Sequence, residues 1–418
     1  MNAVILIVGT IVVIGAIYFL IKKKEARLVL IAAGLLMAII AGKPMSALNA
    51  FSENMVTSSL IQAILSVMGF AYVLKFTECD KHLVSLVAGG LKKTGMFLVP
   101  LATIGTFLIN IALPSAAGTA AAVGAIFIPV MIGAGIHPAM AATAVFAGTF
   151  GSMLNPGTSH NAFVGKIAGV QPTEVIQVHA GATITSGVIA AVSLGIIAFI
   201  LKEHKGYHSE MNVNKDIEKP SILRAVVPII PVVLLILGST GLPVIKMGVA
   251  EAMLIGVIIA LIVTRANPTN LVKSFFTGMG KSYADIMGII ISAGVFVAGM
   301  NACGLVDAFI NAMTNTPAIV NTAATFGPFI LGVVCGSGDA AAFAFNQAVT
   351  PFADHFGVHM VNMGSIAALG GALGRTMSPI AGAAIVCAGI ANVEPMELAK
   401  RNAPGMIIAA IVSMFILL

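Results

Sequence analysis

The stretch GSMLNPGTSHNAFVGKIAGVQPTEV (151–175) is matched, 223 residues later, by GRTMSPIAGAAIVCAGIANVEPMEL (374–398). Pro156 aligns with Pro379, and a second proline pair near the end of each stretch keeps the same separation. No gap is needed to align the two stretches. One such match would mean little, but a fixed separation that extends along the chain indicates an internal duplication.

The match continues upstream of both stretches. PSAAGTAAAVGAIFIPVMIGAGIHP (114–138) faces GSGDAAAFAFNQAVTPFADHFGVHM (336–360) at a separation of 222, and Pro44 faces Pro268 at 224. The separation therefore drifts by only two residues over most of the chain. We predict a first repeat at 1–201, a cytoplasmic linker at 202–222 and a second repeat at 223–418.

The composition places the chain in a membrane. Of its 418 residues, 58% are hydrophobic and only 9% are charged, a balance that a water-soluble surface does not carry. Apolar runs close to the length that crosses a bilayer recur at 3–21, 28–42, 58–74, 180–201, 225–239, 245–264, 284–300 and 404–418. These runs predict an all-α polytopic membrane protein.

The distribution of charge predicts the topology. The net charge of +6 suggests nucleic acid as a partner, but alternating spans from a periplasmic N-terminus place 18 of the 22 Lys and Arg residues on the cytoplasmic side. This is the positive-inside pattern of a bacterial inner-membrane protein, so we expect no nucleic-acid partner and both termini in the periplasm. Each half holds an odd number of spans, which inverts the second half relative to the first. We predict about ten transmembrane helices in two inverted-topology repeats.

Interruptions of the apolar runs predict two further features in each half. The run at about 97–134 and its counterpart at about 317–353 are too long for one helix and carry small residues or proline at their middle, so both predict re-entrant hairpins. The spans at about 138–169 and 360–391 contain proline, which removes a backbone donor and breaks the helix. Irregular backbone at membrane depth occurs where it lines a cavity.

Each of these four breaks starts a helix, and a helix N-terminus attracts an anion. The starts fall at 115–119, 158–161 (with Ser159), 337–339 and 378–382. Carbonyls freed by the breaks are ligands of the kind that Na⁺ takes, which predicts sodium near Ser115, Asn155, Ser337 and Ser378. The alternative for any one hydroxyl or amide is that it only caps its helix. No firm metal site and no other cofactor is expected.

Two charged residues lie deep in the predicted spans, Asp339 and Arg375. Arg375 suits a carboxylate because its planar fork donates two hydrogen bonds, and Asp339 suits a coupling proton. The structural alternative is a buried ion pair between these two side chains. His160, in the first break, is a candidate for a second carboxylate or for a pH response, and its alternative is a polar histidine satisfied within the protein.

Other function classes fit the residues less well. An intramembrane hydrolase needs a nucleophile with a base or a paired aspartate site, and one deep aspartate forms no dyad, so we expect no enzyme. An anion channel also uses re-entrant loops, but duplication with asymmetric charges favours a carrier.

Three segments, 115–136, 336–345 and 374–401, carry a resemblance to a known family. With SAAGTAAAVGAIFIPVMIGAGI, GSGDAAAFAF and GRTMSPIAGAAIVCAGIANVEPMELAKR, the chain resembles the anaerobic C4-dicarboxylate carrier (DcuC) family of the ion transporter superfamily. The resemblance implies exchange or cation-coupled transport of fumarate, succinate, malate or aspartate, driven by H⁺ or Na⁺. Another organic anion remains an alternative substrate.

The resemblance also implies an architecture and a set of site positions. Superfamily members are homodimers whose transport domain moves as an elevator against a fixed scaffold domain. Their hairpin-tip and broken-helix positions correspond here to Ser115, Thr119, Asn155, Thr158, Ser337, Asp339, Thr376 and Ser378.

Overall fold

The computed structural model describes residues 3–22, 24–56, 58–91, 97–207, 220–239, 247–314 and 317–418. These residues form α-helices joined by turns, with no β-strand among them, so the predicted all-α class is confirmed for this part of the chain. Most of the predicted linker at 202–222 lies outside the described residues. The helices are α1 (Ala3–Ile21), α2 (Ala26–Ile40), α3 (Pro44–Met55), α4 (Ser58–Phe76), α5 (Cys79–Leu91), α6 (Leu98–Ala112), α7 (Ala116–Gly133), α8 (Pro138–Ala147), α9 (Ser159–Ala168), α10 (Pro172–Ile200), α11 (Ile222–Val226), α12 (Ile230–Ser239), α13 (Val249–Thr264), α14 (Pro268–Ser282), α15 (Gly288–Ala302), α16 (Leu305–Thr314), α17 (Pro317–Cys335), α18 (Gly338–Ala348), α19 (Met360–Arg375), α20 (Gly382–Ala391) and α21 (Pro395–Leu417).

Several helices have the length and apolarity of membrane spans. In the described residues four segments reach both limits: α7, α10, the nearly continuous α14–α15 segment Pro268–Ala302, and α21. A fifth span results if α4 and α5, bent by 74° at their junction, count as one. Six further apolar helices are shorter, at 10–17 residues. A polytopic membrane protein is thus supported, and the total of about ten spans stays a prediction.

Helical structure is interrupted at each of the four breaks that the sequence predicts. Helices α6 and α7 meet at residues 113–115, and α17 and α18 meet at residues 336–337. Between α8 and α9 the chain makes a short 3₁₀ helix, Gly151–Leu154, and then a turn that contains Pro156. Between α19 and α20 it leaves helical structure at residues 376–381, around Pro379. Whether the first two pairs re-enter the membrane from one side stays a prediction.

Equivalent positions in the two halves make equivalent close contacts. A Cβ at Gly151 would overlap the carbonyl oxygen of Phe107 on α6, and a Cβ at Gly374 would overlap that of Phe329 on α17. The two glycines are separated by 223 residues and the two phenylalanines by 222. Only glycine permits backbone to approach backbone this closely. Both halves therefore pack the broken helix on the first arm of the preceding helix pair in the same way.

Two sets of helix–helix contacts surround the breaks. In one set, α10 packs along α21 and α7 packs against α20, so elements of the two halves interleave. In the other set, α15 packs on α2 and α3, and α4 packs on α13 and α14. Further contacts join helices of the two sets and include α4 against α9 and α15 against α18. These contacts place the break before α9 against α4 and the start of α18 against α15.

Candidate functional site

A cavity of about 270 Å³ lies where the irregular segments meet α4. One wall is apolar and comes from α4 and from the π-helical turn that precedes α15. The facing wall is polar and comes from the α6–α7 junction, the break before α9, the start of α18 and the end of α19. The lining residues are Ile64, Val67, Met68, Pro114, Ser115, Ala116, Ser152, Met153, Gly157, Thr158, Ser159, His160, Ile286, Asp339, Ala372 and Arg375.

The structure brings six of the predicted site residues into this cavity and leaves five outside its lining. Those in the lining are Ser115, Thr158, Ser159, His160, Asp339 and Arg375. Those outside it are Thr119, Asn155, Ser337, Thr376 and Ser378. Ser337 is the half-buried residue that precedes α18, and the other four are buried.

At the α6–α7 junction, polar side chains bind the local backbone. Ser115 caps α7 by accepting a hydrogen bond from the amide of Gly118 at 3.2 Å. Asn110 donates to the carbonyl of Leu113 at 2.9 Å and to Oγ1 of Thr119 at 3.0 Å. Thr119 itself donates to the Leu113 carbonyl at 2.9 Å. These bonds occupy Thr119, so in this structure its role is to hold the junction in shape.

In the first break, Asn155 is also fully engaged with backbone. Its Nδ2 donates to the carbonyl of Ile111 at 2.7 Å, and its Oδ1 accepts from the amide of Gly157 at 2.8 Å. Thr158 donates to the carbonyl of Ser152 across the turn. The amide of Ser152, in the same break, donates to Oδ1 of Asn110 on α6 at 2.8 Å. Two amide side chains, those of Asn155 and Asn110, therefore fix the break to the end of α6, while the N-terminus of α9 opens on the cavity.

In the second break, the predicted hydroxyls bind backbone as well. Thr376 donates to the carbonyl of Ala372 at 2.7 Å, and Oγ of Ser378 accepts from the amide of Ile380 at 3.4 Å. The helix α20 begins only at Gly382, after Ala381, and this start does not line the cavity. The polar wall consequently has more residues from the first break than from the second.

Two further residues, which sequence reasoning missed, brace the breaks from the long helices: Asn402 on α21 directly, and His179 on α10 through Asn161. Asn402 on α21 donates to the carbonyl of Thr376 at 2.8 Å. Asn161 donates to the carbonyl of Met153 at 2.7 Å and is itself held at 2.9 Å by Nε2 of His179 on α10. His179 and Asn402 are 223 residues apart, and so are the two carbonyl-bearing residues. The duplication was the signal that could have identified these braces.

Asp339 pairs with His160 instead of Arg375. Its Oδ1 lies 3.0 Å from Nε2 of His160, and the histidine ring stacks on Phe343 with ring centroids 4.8 Å apart. No ion pair joins Asp339 to Arg375 in this structure, so the structural alternative of a buried pair between these two side chains is not formed. The reason is geometric. Arg375 bonds to the carbonyl of Thr149, just after the end of α8, whereas Asp339, in the first turn of α18, contacts His160 at the first break.

Arg375 has one nitrogen engaged and one without a partner. Its Nη2 donates to the carbonyl of Thr149 at 2.8 Å, a contact across 226 residues that no local pattern reveals. Its Nη1 is buried and has no hydrogen-bond partner among the described residues. An unpaired buried donor costs about 1–3 kcal/mol, more for a charged group. A carboxylate oxygen is the partner that a guanidinium nitrogen takes best.

Taken together, the polar wall is equipped for an anion. It combines a guanidinium that has an unpaired donor, the N-termini of α7 and α9, and hydroxyls of Ser115, Thr158 and Ser159. Helix N-termini carry partial positive charge and unpaired amide donors. The apolar wall of Ile64, Val67 and Met68 suits the carbon skeleton of a small organic anion.

Comparison with known proteins identifies one matching family model. The model described as C4-dicarboxylate anaerobic carrier, DcuC, matches residues 39–418. This range contains both halves of the cavity. The resemblance expected from segments 115–136, 336–345 and 374–401 is therefore confirmed.

Two relatives illustrate the range of similarity. An uncharacterized transporter of Haemophilus influenzae is 47% identical over 272 residues, which covers 62% of this chain and 98% of that protein. The anaerobic C4-dicarboxylate transporter DcuC of Escherichia coli K12 is 24% identical over 444 aligned positions, which covers 97% of this chain and 95% of that protein.

Two solved structures share the fold. MtrF of Neisseria gonorrhoeae, described with a class of antimetabolite efflux pumps, superposes with a TM-score of 0.62 at 14% identity, covering 91% of this chain and 85% of that one. The YdaH transporter of Alcanivorax borkumensis superposes with a TM-score of 0.59 at 16% identity, covering 89% of this chain and 86% of that one. At these identities the likeness concerns the fold.

Proposed function

Because the chain belongs to the C4-dicarboxylate anaerobic carrier (DcuC) family, we propose that it is a secondary active transporter of C4-dicarboxylates. Its substrates would be fumarate, succinate, malate or aspartate, carried across the bacterial inner membrane by exchange or together with a cation. Membership in a carrier family assigns the chain to transporters, not enzymes. The proposal rests on one observation: Arg375 lines the cavity, and its Nη1 has no hydrogen-bond partner among the described residues.

The size and polarity of the cavity support a small anion. Its volume of about 270 Å³ is slightly below the roughly 300 Å³ at which drug-sized sites begin, which suits a ligand smaller than a drug molecule. Arg375 at one side would take one carboxylate in a bidentate bond, and the N-termini of α7 and α9 would receive the other through amides and hydroxyls. The apolar wall from α4 would contact the carbon skeleton between them.

The proposed movement is of the elevator type. Two inverted repeats would form a transport domain from the hairpins and broken helices, and a scaffold domain that contains α4. The equivalent contacts of Gly151 and Gly374 support the repeats. The position of the cavity between α4 and the irregular segments supports a site at the domain boundary. A homodimer with both termini in the periplasm completes the proposal.

The coupling ion is proposed to be H⁺ or Na⁺. The carbonyls of Met153 and Asn155 in the first break already receive amide donors from Asn161, which leaves fewer free oxygens for Na⁺ than the sequence suggested. The His160–Asp339 pair, in contrast, offers a titratable group in the cavity lining. Geometry therefore favours H⁺.

Exchange in liposomes tests the function. Purified protein is reconstituted with unlabelled succinate inside, and entry of labelled fumarate is followed with and without the internal succinate. We expect internal succinate to accelerate entry, because a carrier returns loaded faster than it returns empty. A channel would show no such acceleration.

Competing external anions define the substrate class. Malate and aspartate are expected to inhibit fumarate entry, and a neutral diamide of fumarate is expected to have no effect. If no C4 acid drives exchange while another organic anion does, the substrate assignment is wrong although the carrier assignment stands.

A further inference from the structure

His160 and Asp339 form a contact whose proton can be located. A carboxylate oxygen only accepts, so in the 3.0 Å contact Nε2 of His160 carries a hydrogen and donates to Oδ1 of Asp339. The imidazole is then either neutral, with Nδ1 unprotonated, or cationic, with both nitrogens protonated. Nδ1 is buried and has no partner among the described residues. With Asp339 ionised, the imidazole therefore gains or loses its proton at Nδ1.

The pair is open to the cavity through the carboxylate. The side chain of Asp339 is 42% exposed, whereas that of His160 is 7% exposed and stacks on Phe343. Asp339 also lies in the first turn of α18, where the helix dipole favours a negative charge. Asp339 thus holds the imidazole in one orientation, and its carboxylate connects the pair to the cavity.

Among the charged and titratable groups near α9, His160 is the one whose protonation would change the charge of the cavity wall. His179 on α10 has both ring nitrogens engaged, with Asn161 and Thr183 at 2.9 Å each. Arg375 on α19 keeps its charge at physiological pH and offsets Asp339. None of the remaining charged or titratable side chains on α9 and on the elements that pack against it lines the cavity: Tyr72, Lys75, Lys166, Glu174, Asp354 and His355.

We propose that His160, oriented by Asp339, is the proton site of this cavity, and that its protonation lets the cavity accept a doubly charged anion in preference to a singly charged one. The inference rests on the proposed function, since it concerns the same site. One proton from the aqueous side binds Nδ1 as the dianion enters, and it leaves with the dianion on the other side. On entry a hydronium ion gives its proton to Nδ1, so an O–H bond breaks as the N–H bond forms, and on release the proton returns to water.

The charge balance gives the reason for this selectivity. With His160 neutral, the charges of Arg375 and Asp339 cancel, and the helix N-termini alone attract the substrate. A proton on His160, which lines the cavity, adds a full positive charge to the cavity wall. By Coulomb's law a dianion gains twice as much from that charge as a monoanion at the same distance.

The test compares fumarate with its monoamide on the purified full-length protein. Dissociation constants of both labelled compounds are measured between about pH 6 and 8.5, a range in which fumarate stays a dianion. One linked proton weakens fumarate binding by up to about tenfold for each pH unit. We expect that dependence for fumarate and a clearly smaller one for the monoamide. Equal pH dependence of the two compounds would overturn the inference without any variant.

Two variants separate His160 from Asp339 as the proton site. His160→Gln keeps a donor near Asp339 but does not titrate, so we expect weak fumarate binding at every pH. Asp339→Asn is expected to keep a pH dependence, because the imidazole of His160 is still present. If His160→Gln retains the wild-type pH dependence, or Asp339→Asn abolishes it, the assignment of the proton to His160 is wrong. Absence of fumarate binding at every pH would overturn the proposed function, and this inference with it.

Discussion

Substitution of Arg375 by lysine separates its charge from its shape. Lysine keeps one positive charge in the cavity wall, so any general attraction of an anion stays. The guanidinium loses its bond from Nη2 to the carbonyl of Thr149 and the donor Nη1, which has no partner in the described chain. An ammonium on a flexible stem cannot reproduce a two-nitrogen fork whose orientation is fixed by one of its nitrogens.

The magnitude follows from the bonds lost. A hydrogen bond to a charged group contributes about 1.5–3 kcal/mol, so the loss of one carboxylate bond weakens fumarate binding roughly ten- to a hundredfold. The Thr149 carbonyl also loses its partner, which lowers the free energy of unfolding by about 1–3 kcal/mol. Binding is therefore expressed per folded molecule, with thermal unfolding in detergent measured in parallel.

The assay is equilibrium binding of labelled fumarate, followed by exchange in liposomes. Arg265→Lys is the matched control, because Arg265 is exposed at the end of α13 and does not line the cavity. We expect the control to bind and transport like the wild type. If Arg375→Lys binds fumarate with wild-type affinity, Arg375 does not hold the substrate, and its role is to fix the end of α8 through Thr149.

Two further substitutions test the packing around the cavity. Gly157→Ala would drive a Cβ into Cγ2 of Val67 on α4, at a cost of about 1–3 kcal/mol, so we expect a larger loss of transport than of binding. Gly389→Ala is the control, because a Cβ at Gly389 meets open space. Full transport by Gly157→Ala would refute a close contact between Gly157 and Val67. Asn402→Ala leaves the Thr376 carbonyl without its donor and should lower the free energy of unfolding by about 1–3 kcal/mol. Unchanged thermal unfolding would show that this hydrogen bond does not stabilise the fold.

Local signals in the sequence located the irregular backbone well. Pro156 and Pro379 lie in the two interruptions between helices, and Ser115 caps α7 in the manner that a hydroxyl before a helix indicates. These features depend on one or two neighbouring residues, so the sequence contains them directly. The same logic explains why the family could be identified from segments that surround the breaks.

Contacts between distant segments were not visible in the sequence. Asp339 and Arg375 appeared as partners because both were deep and oppositely charged, yet Asp339 meets His160 across 179 residues. Which of two cations a carboxylate meets depends on how α18 is placed against α9, and that placement follows from packing. Asn402 was overlooked because an asparagine in a helix has no distinctive local pattern.

Cysteine protection tests most directly whether the substrate occupies this cavity. Ala116 lines the cavity at the start of α7, whereas its neighbour Ala117 is exposed and does not line it. Each is replaced by cysteine in a Cys335→Ala background, since Cys335 is the half-buried one of the four natural cysteines. We predict that saturating fumarate slows maleimide labelling of Ala116→Cys and leaves that of Ala117→Cys unchanged. Equal labelling of Ala116→Cys with and without fumarate, in protein that still exchanges fumarate, would contradict the assignment of the site.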